Sequence, residues 1–206
     1  MKKIFLLCLL LCGVSGHTFG QVRLGLRGSA MTSIYEFDRT TIDGLAVRPV
    51  SGGQMGYQLG LVMRLTIPHV MHIQPELNVS SRDYSFAIQS PDRGYPTARV
   101  AVKRLELPVT AGVTLGPIRV FAGPVFILRQ SQESNVKEAY GIDLAFDDGD
   151  VALMAGVGIE AKRFFVDIRY TTFRDNPTVL YSHYNITKPI RSTKDFTIQY
   201  SVGFFF

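Results

Sequence analysis

The sequence predicts an all-β protein, an eight-stranded antiparallel up-and-down transmembrane barrel that follows an N-terminal signal peptide. Three observations predict it. Apolar and polar residues alternate with period 2 in segment after segment, the connections between those segments are alternately short and long, and the polar face carries ions and glycine that would make a poor dry core.

The first twenty of the 206 residues read as an export signal. Lys2 and Lys3 form a basic start, Ile4 to Leu11 an apolar stretch, and the segment to Gly20 ends in small or polar residues. Cleavage after Gly20 leaves a mature domain over 21–206. An uncleaved anchor would need about 20 apolar residues, and a lipoprotein reading at Cys12 meets the bulky Leu11 before it. Both cysteines, Cys8 and Cys12, fall in the removed part, so disulfides, Cys-ligated metals and Cys nucleophiles are excluded from the mature chain. The formal charge is +5, from 22 basic and 17 acidic residues, and loss of Lys2 and Lys3 reduces it to +3. That small, scattered excess is no nucleic-acid footprint.

The alternation then fixes the strands, expected at about 22–33, 55–67, 71–82, 99–113, 118–130, 151–161, 164–173 and 194–206. The last is the cleanest: Phe196, Ile198, Tyr200, Val202, Phe204 and Phe206 share one face, and only Phe205 interrupts the polar face opposite. Tyr57, Leu59, Leu61, Met63, Leu65 and Ile67 oppose Gln58, Gly60, Val62, Arg64 and Thr66 in the same way. Connections at 68–70, 114–117 and 162–163 are short, while 34–54, 83–98, 131–150 and 174–193 are long. Strict alternation of tight turns with long loops is the habit of outer-membrane barrels, with the turns and both termini periplasmic. Lipid forbids open sheet edges, so such a sheet must close, and eight strands leave an interior just filled by side chains. A secreted soluble barrel is the alternative, and it requires the apolar face to point inward.

Four pieces of this chain resemble the PorT-like outer-membrane beta-barrel family. IQPELNVSS at Ile73 to Ser81 is similar to its QPEL strand, LELPVT at Leu105 to Thr110 to its LEIP strand, FAGPVF at Phe121 to Phe126 to its Gly-Pro strand, and FFVDIRYT at Phe164 to Thr171 to its DLRY strand. Asn78 and Ser80 depart from the family pattern, which favours aromatic or aliphatic residues there. The resemblance implies an eight-stranded outer-membrane barrel. One member of the family takes part in type IX protein secretion, but an activity does not travel with a fold.

Period 2 places Arg64, Glu76, Glu106, Glu160, Asp167 and Arg169 inside, with Arg23, Arg27 and Arg104 on the same side of their strands. Counted from the short turns, Arg64, Glu160 and Asp167 lie near the periplasmic end and Glu76, Glu106 and Arg169 deeper. A layered ion-pair network that plugs the lumen is the expected reading; an acid/base site or proton path is the alternative. Too few strands are present for a wide pore, which takes about 16 to 18. His69, His72 and His183 read as turn and loop surface residues; Ser182 and His183, adjacent on an extended segment, point apart and form no dyad. His69 and His72 lack a third metal ligand, and the acidic run Asp143 to Asp150 lacks EF-hand spacing and reads as a solvated turn. No cofactor is expected. Arg99 and Lys103 lie toward the extracellular rim, where they either meet lipopolysaccharide phosphates or are simply solvated. Tyr200, Val202, Phe204 and Phe206 resemble the signal read by the barrel assembly machinery, and also suit an aromatic girdle.

Three functions fit these features. The first is a non-enzymatic scaffold or accessory component of an envelope assembly, with an unidentified envelope protein as partner and a tie to secretion. The second is an adhesion or lipopolysaccharide-binding barrel acting through its loops. The third is a lipid-modifying enzyme.

Overall fold

The computed structural model describes residues 21–37, 40–42, 45–49, 54–67, 70–89, 97–134, 143–147, 151–173, 178–183 and 186–206. The expected signal peptide, 1–20, lies outside the described residues. Twelve strands are described: β1 (Gln21–Phe37), β2 (Thr40–Ile42), β3 (Leu45–Pro49), β4 (Gln54–Ile67), β5 (Met71–Gln89), β6 (Thr97–Leu115), β7 (Ile118–Ser134), β8 (Asp143–Asp147), β9 (Val151–Ala161), β10 (Phe164–Phe173), β11 (Thr178–His183) and β12 (Ile186–Phe205). Eight of them form an antiparallel ring in the order β1, β4, β5, β6, β7, β9, β10, β12, and β12 pairs back onto β1 with Val202 opposite Gly28 and Phe204 opposite Leu26. The eight expected strands are therefore present and the sheet is closed.

The apolar face points outward. Tyr57, Leu59 and Leu61 on β4 are 68%, 71% and 56% exposed, whereas Gln58 and Arg64 between and beyond them are 1% exposed. That order is opposite to a soluble barrel and is what hydrocarbon outside the wall demands.

Several strands run longer than the alternation suggested. β5 and β6 each have 19 residues and β12 has 20, about twice the 9 to 11 that cross a bilayer. The surplus lies at the end of the barrel away from the short turns, where Ala87 still pairs with Thr97. The long connections, expected as polar loops, also contain strands: β2 and β3 form a hairpin that pairs with β5, and β8 and β11 add to the first half of β12. Backbone pairing continues there because beyond the apolar belt an edge can be solvated, so a polar sequence is no bar to a strand. Asp143–Asp147, expected in a solvated turn, is one of these strands.

Two hairpins at the turn end close with two residues. In each only the first carries a positive φ, Gly116 at 61° and Lys162 at 56°, the φ pattern of a type II′ turn. Prolines mark a second irregularity. Pro75, Pro108 and Pro124 lie on the adjacent strands β5, β6 and β7, and each belongs to one of the family-like pieces. The ladder skips between Pro75 and Asn78 and between Pro108 and Ala111, as expected where a donor is missing. Thr110 Oγ1 there donates to the carbonyl oxygen of Gln74 at 3.3 Å.

Inside the turn end, Phe165 and Phe205 pack with ring centroids 4.9 Å apart, joined by Val62. Their seat is Gly203, where an added Cβ would come within 2.0 Å of the Phe165 ring. Gly203→Ala should therefore cost about 1–3 kcal/mol through overpacking. Gly28→Ala, on the outer face with its nearest neighbour at 3.7 Å, should cost well under that. Urea midpoints of the heat-modifiable folded band for the two variants measure the difference.

Candidate functional site

The lumen holds a single connected set of ions and amides supported by all eight wall strands. At its centre Arg169 on β10 grips Glu76 on β5 with a two-pronged fork, Nη1 to Oε2 and Nη2 to Oε1, both at 2.9 Å, and its Nη2 also donates to Asp167 Oδ2 at 2.8 Å. All three side chains have zero exposure. Two parallel N–H to carboxylate bonds give this pair directional strength that a lysine would not supply. Arg27 on β1 stands 3.1 Å from Glu76 Oε2, Gln74 Nε2 donates to Oε1 at 2.6 Å, and Asn78 Nδ2 donates to Oε2 at 3.2 Å.

Toward the turn end Glu160 on β9 receives Arg23 from β1 and Arg64 from β4, with Arg119 Nε from β7 at 3.4 Å. Arg119 also donates to Asp167, which thus ties this layer to the centre. Toward the other end Glu106 on β6 accepts from Gln58 at 2.6 Å, Ser80 at 3.2 Å and Arg82 at 3.3 Å, while Arg82 Nη1 reaches Thr197 on β12 at 3.3 Å. Guanidinium groups lie over aromatic rings between the layers: Arg64 is 4.5 Å from the Phe205 centroid, Arg119 5.1 Å from Phe165 and Arg169 5.0 Å from Phe121. A weakly hydrated, planar cation tolerates such a neighbour.

Charge is unequal. Among the described residues six arginines are buried, Arg27, Arg64, Arg82, Arg104, Arg119 and Arg169, against Glu76, Glu106 and Asp167. Arg23 and Glu160, half-buried, add one of each sign, so the cations lead by three. Carboxylates are consequently shared: Glu76 serves Arg27 and Arg169, Asp167 serves Arg119 and Arg169, and Glu160 serves Arg23, Arg64 and Arg119. The packing leaves little space: a lumenal cavity bounded by Arg82, Glu106, Met154, Thr171, Phe173 and Gln199 measures about 10 Å³, room for about one water.

Arg64, Glu76, Glu106, Glu160, Asp167 and Arg169 all face the lumen; Asp167, expected beside Arg64 and Glu160 at the turn end, also binds the central Arg169, and Glu106, expected with Glu76 and Arg169, gathers Gln58, Ser80 and Arg82 toward the other end. Arg82 and Arg119 were missed, although the parity that places Glu76 and Phe121 inside places them there too. His72 requires a correction. It is 2% exposed and faces the lumen, with Nδ1 3.3 Å from Thr114 Oγ1, because within the strand that begins at Met71, as expected, it has the parity of Glu76 and is the first inward residue. His69 lies outside the described residues, as do the side chains of Ser182, His183 and Asp143 to Asp147. Arg99 pairs through its backbone with Ser85, and its side chain is also outside; Lys103 is exposed, and its backbone pairs with Ser81 and Ser131. Tyr200, Val202 and Phe206 are exposed on the outer face, and Phe204 lies between Phe164, tilted at 5.0 Å, and Phe206, edge-on at 5.9 Å. Among the described residues no group of three or more His, Cys, Asp or Glu side chains is arranged to hold a metal.

Removing Glu76 takes a carboxylate from two buried arginines at once, leaving Arg169 to Asp167 and Arg27 to the neutral Gln58 and Ser201. Glu76→Leu is expected to cost about 3–5 kcal/mol and to reduce the amount of assembled barrel. Arg27→Leu should cost less, because Arg169 still holds Glu76. Urea midpoints and the abundance of the heat-shifted band test the order; an unchanged Glu76→Leu barrel would refute it.

The family model of the outer membrane protein beta-barrel domain matches residues 18–172. Among solved structures the barrel is similar to the crystal structure of the outer membrane protein OprG from Pseudomonas aeruginosa. The TM-score is 0.54 at 11% identity, covering 93% of this chain and 98% of that one. It is likewise similar to the solid-state NMR structure of outer membrane protein AlkL in DMPC lipid bilayers, with a TM-score of 0.52 at 10% identity and 93% of each chain covered. At such identities the likeness is one of fold. No curated protein matches the sequence. With three quarters of its length matched and an apolar outer wall around a charged lumen, the chain belongs to the outer membrane protein beta-barrel domain family, and is an integral protein of a Gram-negative outer membrane.

Proposed function

We propose that the protein is a non-enzymatic, non-conducting scaffold or accessory component of an envelope assembly, within the PorT-like branch of its family and with a link to protein secretion. The turns and both termini face the periplasm, and the extended sheet of β5, β6, β8, β11 and β12 faces outward from the cell. The observation that carries this reading is the filled lumen: the fork between Arg169 and Glu76 lies across the barrel centre at zero exposure. A pore would need that space, and an acid/base site would need a free carboxylate, whereas Glu76, Glu106, Glu160 and Asp167 are each engaged by arginine. What remains for interaction is the wall and the extended sheet. Lipid and lipopolysaccharide contact, with Arg99 and Lys103 at the outer rim, and recognition of Tyr200, Val202, Phe204 and Phe206 by the barrel assembly machinery complete the proposal.

Crosslinking in intact envelopes followed by mass spectrometry should recover a reproducible envelope protein, and recovery should survive shortening of 34–54 and 131–150 if docking uses the wall. Purified protein in planar bilayers should show no large steady conductance; a stable open level would overturn the sealed-lumen reading.

A further inference from the structure

Gly28 is a glycine that the barrel itself does not require. An added Cβ at Gly25, Gly60, Gly158 or Gly203 would meet neighbouring atoms at 2.4, 1.8, 2.0 and 2.0 Å, so a larger residue at those positions forces its neighbours to shift. At Gly28 the nearest atom is Leu59 Cδ2 at 3.7 Å, ordinary contact, and no left-handed φ is recorded there. Among the described strand glycines it is the one with such room. A glycine inside a strand costs about 0.5–1 kcal/mol relative to alanine, and where packing does not explain it, it often marks a close approach by something from outside.

Gly28 also lines an apolar groove of about 730 Å³ on the outer wall, as a gap in one of its flanking rows, within the range of about 300–1,000 Å³ usual for small-molecule sites. The strand register builds it. Leu59, Gly28 and Val202 stand in one row across β4, β1 and β12, and Leu61, Leu26 and Phe204 in the next. The groove reaches Leu105 on β6 at one end and Phe164 on β10 at the other. Six strands at about 4.8 Å per step give a length of about 24 Å, and rows two residues apart leave a width of about 7 Å. A helix with side chains, about 10–12 Å across, does not fit between the rows; a single hydrocarbon chain does. At the Phe164 end the next residues are Arg163 and Lys162, both exposed in the turn, where cations meet a phosphate at the membrane surface.

We infer that this groove binds one glycerophospholipid, with an acyl chain along Gly28 and the phosphate at Lys162 and Arg163. The tail site stands on the wall geometry alone. The choice of phospholipid over lipopolysaccharide rests on the proposed periplasmic placement of the turns.

The test is native mass spectrometry on the full mature chain, reconstituted in vesicles of phosphatidylethanolamine and phosphatidylglycerol and then extracted in mild detergent. The wild type should retain one phospholipid. Gly28→Phe should retain about tenfold less, equivalent to about 1.4 kcal/mol, and Lys162→Ala with Arg163→Ala should also lose it, both with unchanged heat-shifted migration. Absence of retained lipid in the wild type, equal retention by Gly28→Phe, or recovery of lipopolysaccharide in its place from native membranes would each overturn the inference. A second measurement does not depend on filling the groove. The chain has no tryptophan, so Leu59→Trp should be quenched by tail-brominated phospholipid more than Leu153→Trp, which is outside the groove; equal quenching would refute the site. Maleimide labelling of Lys162→Cys in intact and permeabilised cells reports orientation separately, so an inverted barrel is distinguishable from an empty groove.

Discussion

The arrangement of Arg169, Glu76 and Asp167 at the barrel centre constrains everything around it. Bare ions at zero exposure would cost several kcal/mol each in lost hydration, and attraction offsets that only where the geometry is close and the remaining lone pairs are satisfied. The geometry is close, a bidentate fork at 2.9 Å, and Gln74 and Asn78 take further lone pairs of Glu76, while Arg27 Nε and Arg169 Nε remain buried without a hydrogen bond. The partners come from strands far apart in sequence, 93 residues in the case of Glu76 and Arg169. The network is therefore complete only when the ring is closed, which couples the electrostatics of the lumen to the topology of the sheet.

Inside-out polarity follows from the two surroundings. Lipid supplies no hydrogen bonds and little penalty for exposed Leu, Val and Phe, so the outer wall needs no specific packing to be stable. The lumen has no lipid and little room for water, so it must be specified atom by atom. Arginine suits that space because its plane binds carboxylates at the edge and phenyl rings at the face, as Arg64 does with Glu160 and Phe205. Phe121, Phe165 and Phe205 then act as spacers between ionic layers, each seated where glycine or other small residues open the opposing strand.

Much of this was legible because period 2 assigns each residue of a strand to a face. Parity alone put Glu76, Glu106, Asp167 and Arg169 inside, and the same rule applied without exception would have added Arg82, Arg119 and His72. His72 was misplaced by reading the second residue of the expected strand 71–82 as turn surface; the neighbouring Ile73 already pointed out. What parity does not contain is the pairing itself. Which arginine meets Glu160 depends on strand stagger around a closed ring, and stagger is set by bulges such as that at Leu105 and Glu106 and by the ladder gaps beside Pro75 and Pro108. The strands within the long connections were hidden for a different reason: above the apolar belt, alternation loses its solvent contrast and a paired polar strand looks like a loop.

The same division of tasks bears on how such a protein acquires a function. A lumen whose carboxylates are each held by arginines from other strands resists change, because one substitution strands a charge in a confined space. The outer wall and the extended ends of the strands are under no such coupling, so a residue there that packing does not require has another cause. Gly28 is such a residue, and the contrast with Gly203, fixed by the ring of Phe165, separates what the barrel needs to stand from what it offers to its surroundings.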